Sequence, residues 1–422
     1  MPEGSILSDD FLRELINVGE VDILIGVPTY NDARTVGQVV QAIRAGLLKY
    51  FPRQRAVIIN ADGGSKDGSQ DLVRAASISD ISHSSNLNAL RTLHCISTQY
   101  SGGSSSGNSL HLIFSAAELL RPNICSVVAS DSTSIEPNWM EHLLRPIARD
   151  NVDLVTPLYT RHKFDGLLVR NLAYPMTRAI YGMQVREPFP SDFAFSGKLG
   201  SHFLSQDLWS QDSVKSGAEM GLTISAIAGG FRVAESFLGK KSRMDHAPAD
   251  LVAAIRQTAG VLFWSMDGNF STWSKVADSQ PLSTIGAAPE LTLEPLRVNR
   301  KRLREMFCVG VTELEPLLRS IVSPATMDEL KRCSGAPEAE FRYPDELWVR
   351  TVYEFAASYH ESVISRDHII QALAPLYRGK AYTFLSQNRD ASGEEVEKNV
   401  EALCMTFEQH KPYMLELWNG RK

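Results

Sequence analysis

No stretch of the chain strings together the roughly 18 apolar residues that a membrane-crossing helix requires, so a spanning role is not expected. The opening residues, MPEGSILSDDFLRELINVGEVD, have neither a basic leader nor an unbroken apolar segment of the kind that directs secretion, and the expected location is the cytoplasm. Cysteine is sparse. Cys95, Cys125, Cys308, Cys333 and Cys404 lie far apart, are odd in number and include no C-x-x-C pair, which suits a reducing compartment better than a disulfide framework. Positive charge is not in excess either: 43 Lys and Arg against 49 Asp and Glu give a formal charge of -6, so no general field draws the protein to nucleic acid or anionic lipid. Neither an internal repeat nor a low-complexity tract interrupts the 422 residues, a length that points to more than one core.

What is present reads as alternating strand and helix. Phe11, Leu12, Leu15 and Ile16 predict a short amphipathic helix within residues 1–20, capped by Ser8, Asp9 or Asp10. VDILIGVP from Val21 is an apolar run of the kind a strand buried on both faces shows. Val36, Val39, Val40, Ile43 and Leu47 recur at helical spacing, and RAVIIN (Arg55 to Asn60) gives a second strand that ends in the polar turn ADGGSKDGS. Helices follow over Asp67 to Ser77 and Leu110 to Leu120, then apolar character returns at Ile124 to Ala129. This alternation predicts an α/β domain with a mostly parallel sheet over 21–264. Ser, Thr, Pro, Ala and Gly concentrate in 265–295, read as a linker, and 296–422 reads as a helical C-terminal domain. Within that domain Ser392 and Glu395 have capping-box spacing ahead of an apolar stripe running through Val396, Val400, Leu403 and Phe407.

In open α/β sheets ligands collect at the carboxyl ends of the strands. Here the turns past the predicted strands hold Tyr30, Asn31 and Asp32, then Asp62, then Asp131. A nucleoside-diphosphate sugar needs hydrogen-bonding carboxylates for base and ribose, and a cation or positive side chain for the diphosphate. Mg²⁺ or Mn²⁺ held by one or two carboxylates would meet the second need. Each residue also has a plainer use: Asp131 suits a turn, Asp192 could be a buried carboxylate satisfied by backbone N–H groups, Glu219 could face solvent, and the KKSRMDH run could be a solvated charge cluster. Lys240 and Lys241 carry no predicted role. SGGSSSGNS (Ser101 to Ser109) is a loop of small residues ahead of a helix, without the Gly-Lys-Ser/Thr ending of a Walker A motif, which argues against an ATPase.

GVPTYNDARTV and IINADGGSKDGS together resemble the opening of a GT-A-fold glycosyltransferase of the broad family-2 type, with its P-x-Y-N-E and D-x-x-S-x-D-x-[ST] patterns. VASDSTSIEPNWM resembles the metal-binding D-x-D segment, PSDFAFSGKL the acceptor-side segment, and SGAEMGLTISAIAGGFRVAESFLGKK a later segment of the same family. The combination is similar to the mannosylglycerate synthase, glucosylglycerate synthase and glucosyl-3-phosphoglycerate synthase group. That resemblance implies a retaining hexosyltransferase using a GDP- or UDP-hexose, with D-glycerate or 3-phosphoglycerate as acceptor, and a homodimer. It further implies that Pro28, Tyr30, Asp32, Asp62, Ser106 and Asp131 bind the nucleotide sugar, with Asp62 hydrogen-bonding the base, and that Asp192 and Glu219 orient the sugar or the acceptor.

Three positions depart from the family pattern. Ala129, Ser130 and Asp131 stand where the family has D-x-D, Ser105, Ser106 and Gly107 stand where it has a Lys-bearing turn, and Arg243 stands where it has a metal-ligand His. Three readings stay open: Arg243 supplies the positive charge in place of a metal, His246 joins Asp131 as a ligand, or donor binding is weak and turnover small. A catalytically impaired sugar-nucleotide binder or scaffold protein of the same fold is the alternative function.

Overall fold

The computed structural model describes residues 6–78, 92–100, 106–210, 216–242, 250–287 and 300–420. The chain forms two compact units. One comprises residues 1–160, 190–247 and 282–291, and the other comprises 161–189, 248–281 and 292–422. The second unit thus draws on three stretches of chain, two of which the sequence reading placed in the first domain and its linker.

The first unit is built on an eight-stranded sheet. Its strands are β1 (Ile23–Thr29), β2 (Arg55–Asp62), β3 (Thr92–Gln99), β4 (Ile124–Val127), β5 (Leu154–Thr160), β6 (Phe193–Ser196), β7 (Val233–Lys240) and β8 (Ser283–Ile285), in the spatial order β3-β2-β1-β4-β6-β5-β7-β8. All neighbours pair in parallel except β6, which runs antiparallel to both β4 and β5. Its helices are α1 (Asp9–Val18), α2 (Val36–Tyr50), α3 (Ser69–Ile78), α4 (Ser106–Leu120), α5 (Asn138–Asp150), α6 (Gly197–Leu204) and α7 (Ala218–Ala228).

Ile23, Ile25 and Val27 of β1 share one core with Val36, Val39, Val40, Ile43 and Leu47 of α2 and with Met140, Leu143 and Leu144 of α5. All five apolar positions predicted for α2 are fully buried. The alternate residues of β1 face α4, and Gly26 lets that helix approach closely: a Cβ there would lie 2.6 Å from Ile113 Cδ1. The N-terminal helix uses Ser8 as its cap, but buries Phe11, Leu15 and Val18 and leaves Ile16 70% exposed. The i, i+4, i+7 line, rather than the predicted 11-12-15-16 grouping, is therefore the inward face.

The second unit is helical. Its longest described helix is Arg366–Gln387, followed by Asp345–Glu361 and Gly393–Gln409 at 17 residues each. The capping box at Ser392 and Glu395 is present, but the helix it starts ends at Gln409, and a separate helix covers Lys411–Gly420. The segment expected as a linker holds the end of a helix (Val261–Gly268), a short helix (Phe270–Trp273) and β8. Buried Trp273 explains the difference, because its indole N–H donates to Met266 O at 3.0 Å and anchors a stretch whose small polar residues read as flexible. Among the described residues no helix is long and apolar enough to cross a membrane.

Candidate functional site

The carboxyl ends of the central strands are stitched edge to edge. Gly63 N–H donates to Thr29 O at 2.9 Å, Tyr100 N–H to Asp62 O at 3.1 Å and Val128 N–H to Gly26 O at 3.0 Å. Beneath them runs a buried polar chain: Ser97 Oγ donates to Asn60 Oδ1 at 2.7 Å, Asn60 Nδ2 to Thr29 Oγ1 at 2.8 Å, and Thr29 Oγ1 to Asp62 Oδ2 at 2.9 Å. Every donor in that chain has an acceptor, so burial carries little penalty.

The loop after β1 and the turn after β2 are cross-linked by side chains. Asn31 adopts the left-handed conformation (φ 59), which Asn tolerates, and this aims both its backbone and its amide at the neighbouring turn. Its N–H donates to Ser65 Oγ at 2.8 Å and its Oδ1 accepts from Lys66 N–H at 3.0 Å. Asp32 N–H donates to Ser69 Oγ and Ala33 N–H to Asp67 Oδ2, both at 2.9 Å. Tyr30, at the apex, keeps 51% of its surface exposed, and Pro28 lies one residue inside the end of β1.

Asp62 is fully buried. Its Oδ1 accepts from Gly64 N–H, Ser65 N–H and Gln70 Nε2 at 2.9, 2.8 and 2.9 Å, while its Oδ2 accepts from Thr29 Oγ1 and Ser65 Oγ at 2.9 and 2.6 Å. Burial alone would raise this carboxyl, but the hydrogen bonds from Ser65, Gln70 and Thr29 outweigh it and hold the group below its ordinary value. Five donors fill the roughly four acceptor positions of a carboxylate, and these bonds hold the turn after β2 in shape. Burial, with the Asp62 charge nearby, pushes the Tyr100 phenol up to about 12.

Past β4, Ser130 Oγ donates to Asp32 Oδ2 at 2.6 Å, an oxygen that also takes Tyr30 N–H at 2.9 Å. The segment that resembles D-x-D is thereby tied to the loop after β1, with half-buried Asp131 next in sequence. Thr133 N–H donates to Ser242 O at 3.0 Å and Ser242 N–H to Ser134 Oγ at 3.0 Å, which clamps the same segment to the chain just past β7.

Because β6 is antiparallel, its start lies level with the ends of the parallel strands, and Asp192 sits there, opposite the end of β4. Asp192 is 2% exposed and accepts from Ala129 N–H at 2.9 Å, Tyr159 O–H at 2.5 Å and Ser191 O–H at 2.9 Å. Three donors thus occupy most of the roughly four acceptor positions of this buried carboxylate. Lys241, to which the sequence reading gave no role, completes this cluster: its Nζ is 3.2 Å from Ser191 Oγ and 4.7 Å from the centroid of the Tyr159 ring. A lysine inside a charged run looks solvated in sequence, and only its position one residue past β7 could have singled it out.

Glu219 is half-buried in the first turn of α7, which leads into β7, so topology puts it at the carboxyl-end side of the sheet. Ser106 opens α4 beyond β3, and its side chain is not described. Arg243 and His246 lie outside the described residues.

Ala129 offers no oxygen ligand from its side chain, and among the described residues no group of three or more His, Cys, Asp or Glu is placed to hold a metal; of the two positions expected to bind one, Asp131 is half-buried past β4 and His246 lies outside the described residues. A cavity of about 530 Å³ lies at the amino ends of β4 and β5, lined by residues such as Arg121, Asn123, Asp153 and Lys198 and by none of the residues above.

No protein-family model matches the chain, and no curated protein matches it. Solved structures do. The glucosyl-3-phosphoglycerate synthase of Mycobacterium tuberculosis, in complex with Mn²⁺, uridine diphosphate and glucosyl-3-phosphoglycerate, is similar over 66% of this chain and 87% of its own, at 19% identity and a TM-score of 0.44. The mannosyl-3-phosphoglycerate synthase of Rubrobacter xylanophilus is similar over 58% of this chain and 74% of its own, at 17% identity and a TM-score of 0.40.

Proposed function

We propose that the first unit binds a nucleoside-diphosphate hexose across the carboxyl ends of β1, β2 and β4 and transfers the hexose, with retention, to a small hydroxy acid such as D-glycerate or 3-phosphoglycerate. The observation that carries this reading is the joining of the loops after β1, β2 and β4 by side chains, with Ser130 on Asp32 and Asn31 on Ser65 and Lys66. These contacts preorganise one polar surface at the place where α/β sheets take nucleotides.

In this reading the exposed Tyr30 ring stacks on the base, and Asp131 hydrogen-bonds the ribose. Lys241 stabilises the negative charge that builds on the diphosphate as the anomeric carbon–oxygen bond breaks and the acceptor hydroxyl takes its place. Asp192 holds Tyr159 and Ser191, which flank that ammonium. Glu219 orients the acceptor. No step is assigned to a metal, and Arg243 is a second candidate for the positive charge.

The test is transfer from UDP- and GDP-linked glucose and mannose to D-glycerate and 3-phosphoglycerate, each with Mn²⁺ or with EDTA, and the product anomer read by proton NMR. Activity that survives EDTA and falls roughly 100-fold in Lys241→Met is the expected result. Activity abolished by EDTA and by His246→Ala would instead assign a metal to the site. Calorimetric titrations in which none of the four donors binds would overturn the reading. The second reading, binding without turnover, is favoured by Ala129 standing where the family pattern has a paired carboxylate and by the five donors already held by Asp62. It predicts donor binding at ordinary affinity with no product under any metal condition.

A further inference from the structure

The cavity at the amino ends of β4 and β5 lies at the far end of the sheet from the loops that carry Asp32 and Asp131. Its wall is formed by the end of α4, the chain between α5 and β5, and the start of α6, all within the first unit. Two residues of that wall take the left-handed backbone conformation: Arg121 (φ 51) just past α4 and Asn151 (φ 57) just past α5. Asn tolerates this conformation, but at the end of a helix it belongs by preference to glycine, and a long side chain there costs the turn stability. Arg121 closes α4 all the same, its N–H donating to Ala117 O at 2.9 Å. That closure uses only the backbone. The guanidinium comes no closer than 3.9 Å to Glu20, both side chains being exposed, so the pair contributes little. What the residue adds is a fork of donors in the wall of the cavity.

Four charged side chains line the cavity and their signs cancel, Arg121 and Lys198 against Glu118 and Asp153. Among the described residues none of the four forms an ion pair with another. Glu118 accepts from Ser201 O–H at 2.7 Å, and Asp153 accepts from Ser196 O–H and Arg232 N–H, both at 3.1 Å. The Lys198 ammonium stands 5.2 Å from the centroid of the Phe231 ring. With these contacts made, each carboxylate keeps acceptor positions and each cation keeps donors. Asn123 and Asn151 add two amides that make no side-chain hydrogen bond among the described residues. A lone ion would meet charges of both signs here, and an apolar molecule would find only Ala117 and Pro122 to pack on. A sugar meets neither obstacle: each hydroxyl donates one hydrogen bond and accepts two, which matches a wall of mixed amide, carboxylate and guanidinium groups. The volume of about 530 Å³ falls within the roughly 300–1,000 Å³ of small-molecule sites.

We propose that this cavity is a second binding site, for a neutral hexose or a short chain of hexoses, recognised by the Arg121 guanidinium, the Asn123 and Asn151 amides and the Glu118 and Asp153 carboxylates. The site goes beyond the transfer reaction proposed above and does not depend on it, because the cavity shares no residue with the nucleotide surface.

Saturation-transfer NMR on the full chain tests it, with glucose, mannose and maltose as probes, each titrated with and without an excess of UDP. At least one of the three receives transfer, and the signal is the same when UDP is present. Arg121→Gly and the Asn123→Ala/Asn151→Gly double variant each weaken that binding roughly tenfold, the scale of a lost hydrogen bond to a charged group or of two to neutral ones. Both variants put glycine where φ is positive, so the backbone is at ease, and the melting temperature of Arg121→Gly equals or exceeds that of wild type. Loss of binding without loss of stability separates a recognition role from a structural one, for which the melting temperature would fall while the sugar still bound. The proposal is overturned if none of the three sugars receives transfer, or if UDP abolishes the signal and so assigns the sugar to the nucleotide surface. Binding unchanged in both variants overturns it as well, as does a cavity that takes inorganic phosphate and no sugar. Should the double variant not fold, Arg121→Gly decides the question alone.

Discussion

Changing Asp62 to Asn alters one atom and one charge without changing shape, and the structure says what that must cost. With the amide oxygen at the Oδ1 position, the bonds from Gly64 N–H, Ser65 N–H and Gln70 survive, but they now end on a neutral acceptor. The amide nitrogen then faces the Thr29 and Ser65 hydroxyls, which can no longer donate to it. Neither hydroxyl is free to turn cheaply, since Thr29 Oγ1 already accepts from Asn60 Nδ2 at 2.8 Å and Ser65 Oγ from Asn31 N–H at 2.8 Å. Two hydroxyl protons are left unsatisfied or strained at about 1–3 kcal/mol each, so after relaxation a loss of roughly 2–4 kcal/mol is expected. Hydrogen exchange of residues 63–70 followed by mass spectrometry reads this loss locally, without assuming that the two units unfold together. The carboxyl sits below its ordinary value in the folded chain, so its stabilisation is complete above the unfolded pKa of about 4 and is lost as pH falls through the folded one. The gap between wild type and Asp62→Asn must therefore narrow toward pH 3. Equal exchange at pH 7, or a gap that persists unchanged in acid, would refute the reasoning.

Three further outcomes follow from the second unit. Arg178 is 4% exposed and places Nη1 and Nη2 on Glu401 at 2.6 and 2.8 Å and Nε on Glu408 at 2.8 Å. Arg178→Met should cost about 2–4 kcal/mol in urea unfolding, at the low end because Glu401 is half exposed and stays solvated when unpaired. Lys411 donates to Ile180 O and Val276 O at 3.0 and 2.8 Å, and burial lowers its ammonium to about 8. Since the unfolded chain holds that proton up to about 10.4, stability gains from this group as pH rises between those values, by up to roughly 1.4 kcal/mol per pH unit, and the slope should flatten in Lys411→Met. Ser392→Ala removes the cap that accepts from Glu395 N–H at 3.2 Å and should lower the melting temperature by an amount equivalent to about 1 kcal/mol.

Much of the fold was legible because local pattern encodes local structure. The apolar runs of β1 and β2, the five buried positions of α2 and the capping box at Ser392 each follow from spacing within one element. The candidate site was legible only as a set of positions: strand-end rules pointed to Tyr30, Asp32, Asp62 and Asp131, but not to what each carboxylate would do. The donors that Asp62 and Asp192 hold were not legible, because hydrogen bonds from backbone N–H groups, hydroxyls and the Gln70 amide leave no trace in composition.

The sequence by itself determined the strands that start after Val21 and at Arg55, the buried face of α2, the capping box at Ser392, and that short polar residues follow the strands. Only tertiary structure decided that β6 inserts antiparallel and delivers Asp192 to Ala129, 63 residues away, and that Ser130 closes on Asp32 across 98. It alone recruited Lys241 to the ring of Tyr159, and drew residues 161–189 into the helical unit through Arg178 and the carbonyl contacts of Lys411. The physical reason is that periodicity records whether a side chain is buried, while the identity of its partner depends on sheet order and strand direction, which many sequences with the same periodicity could satisfy differently.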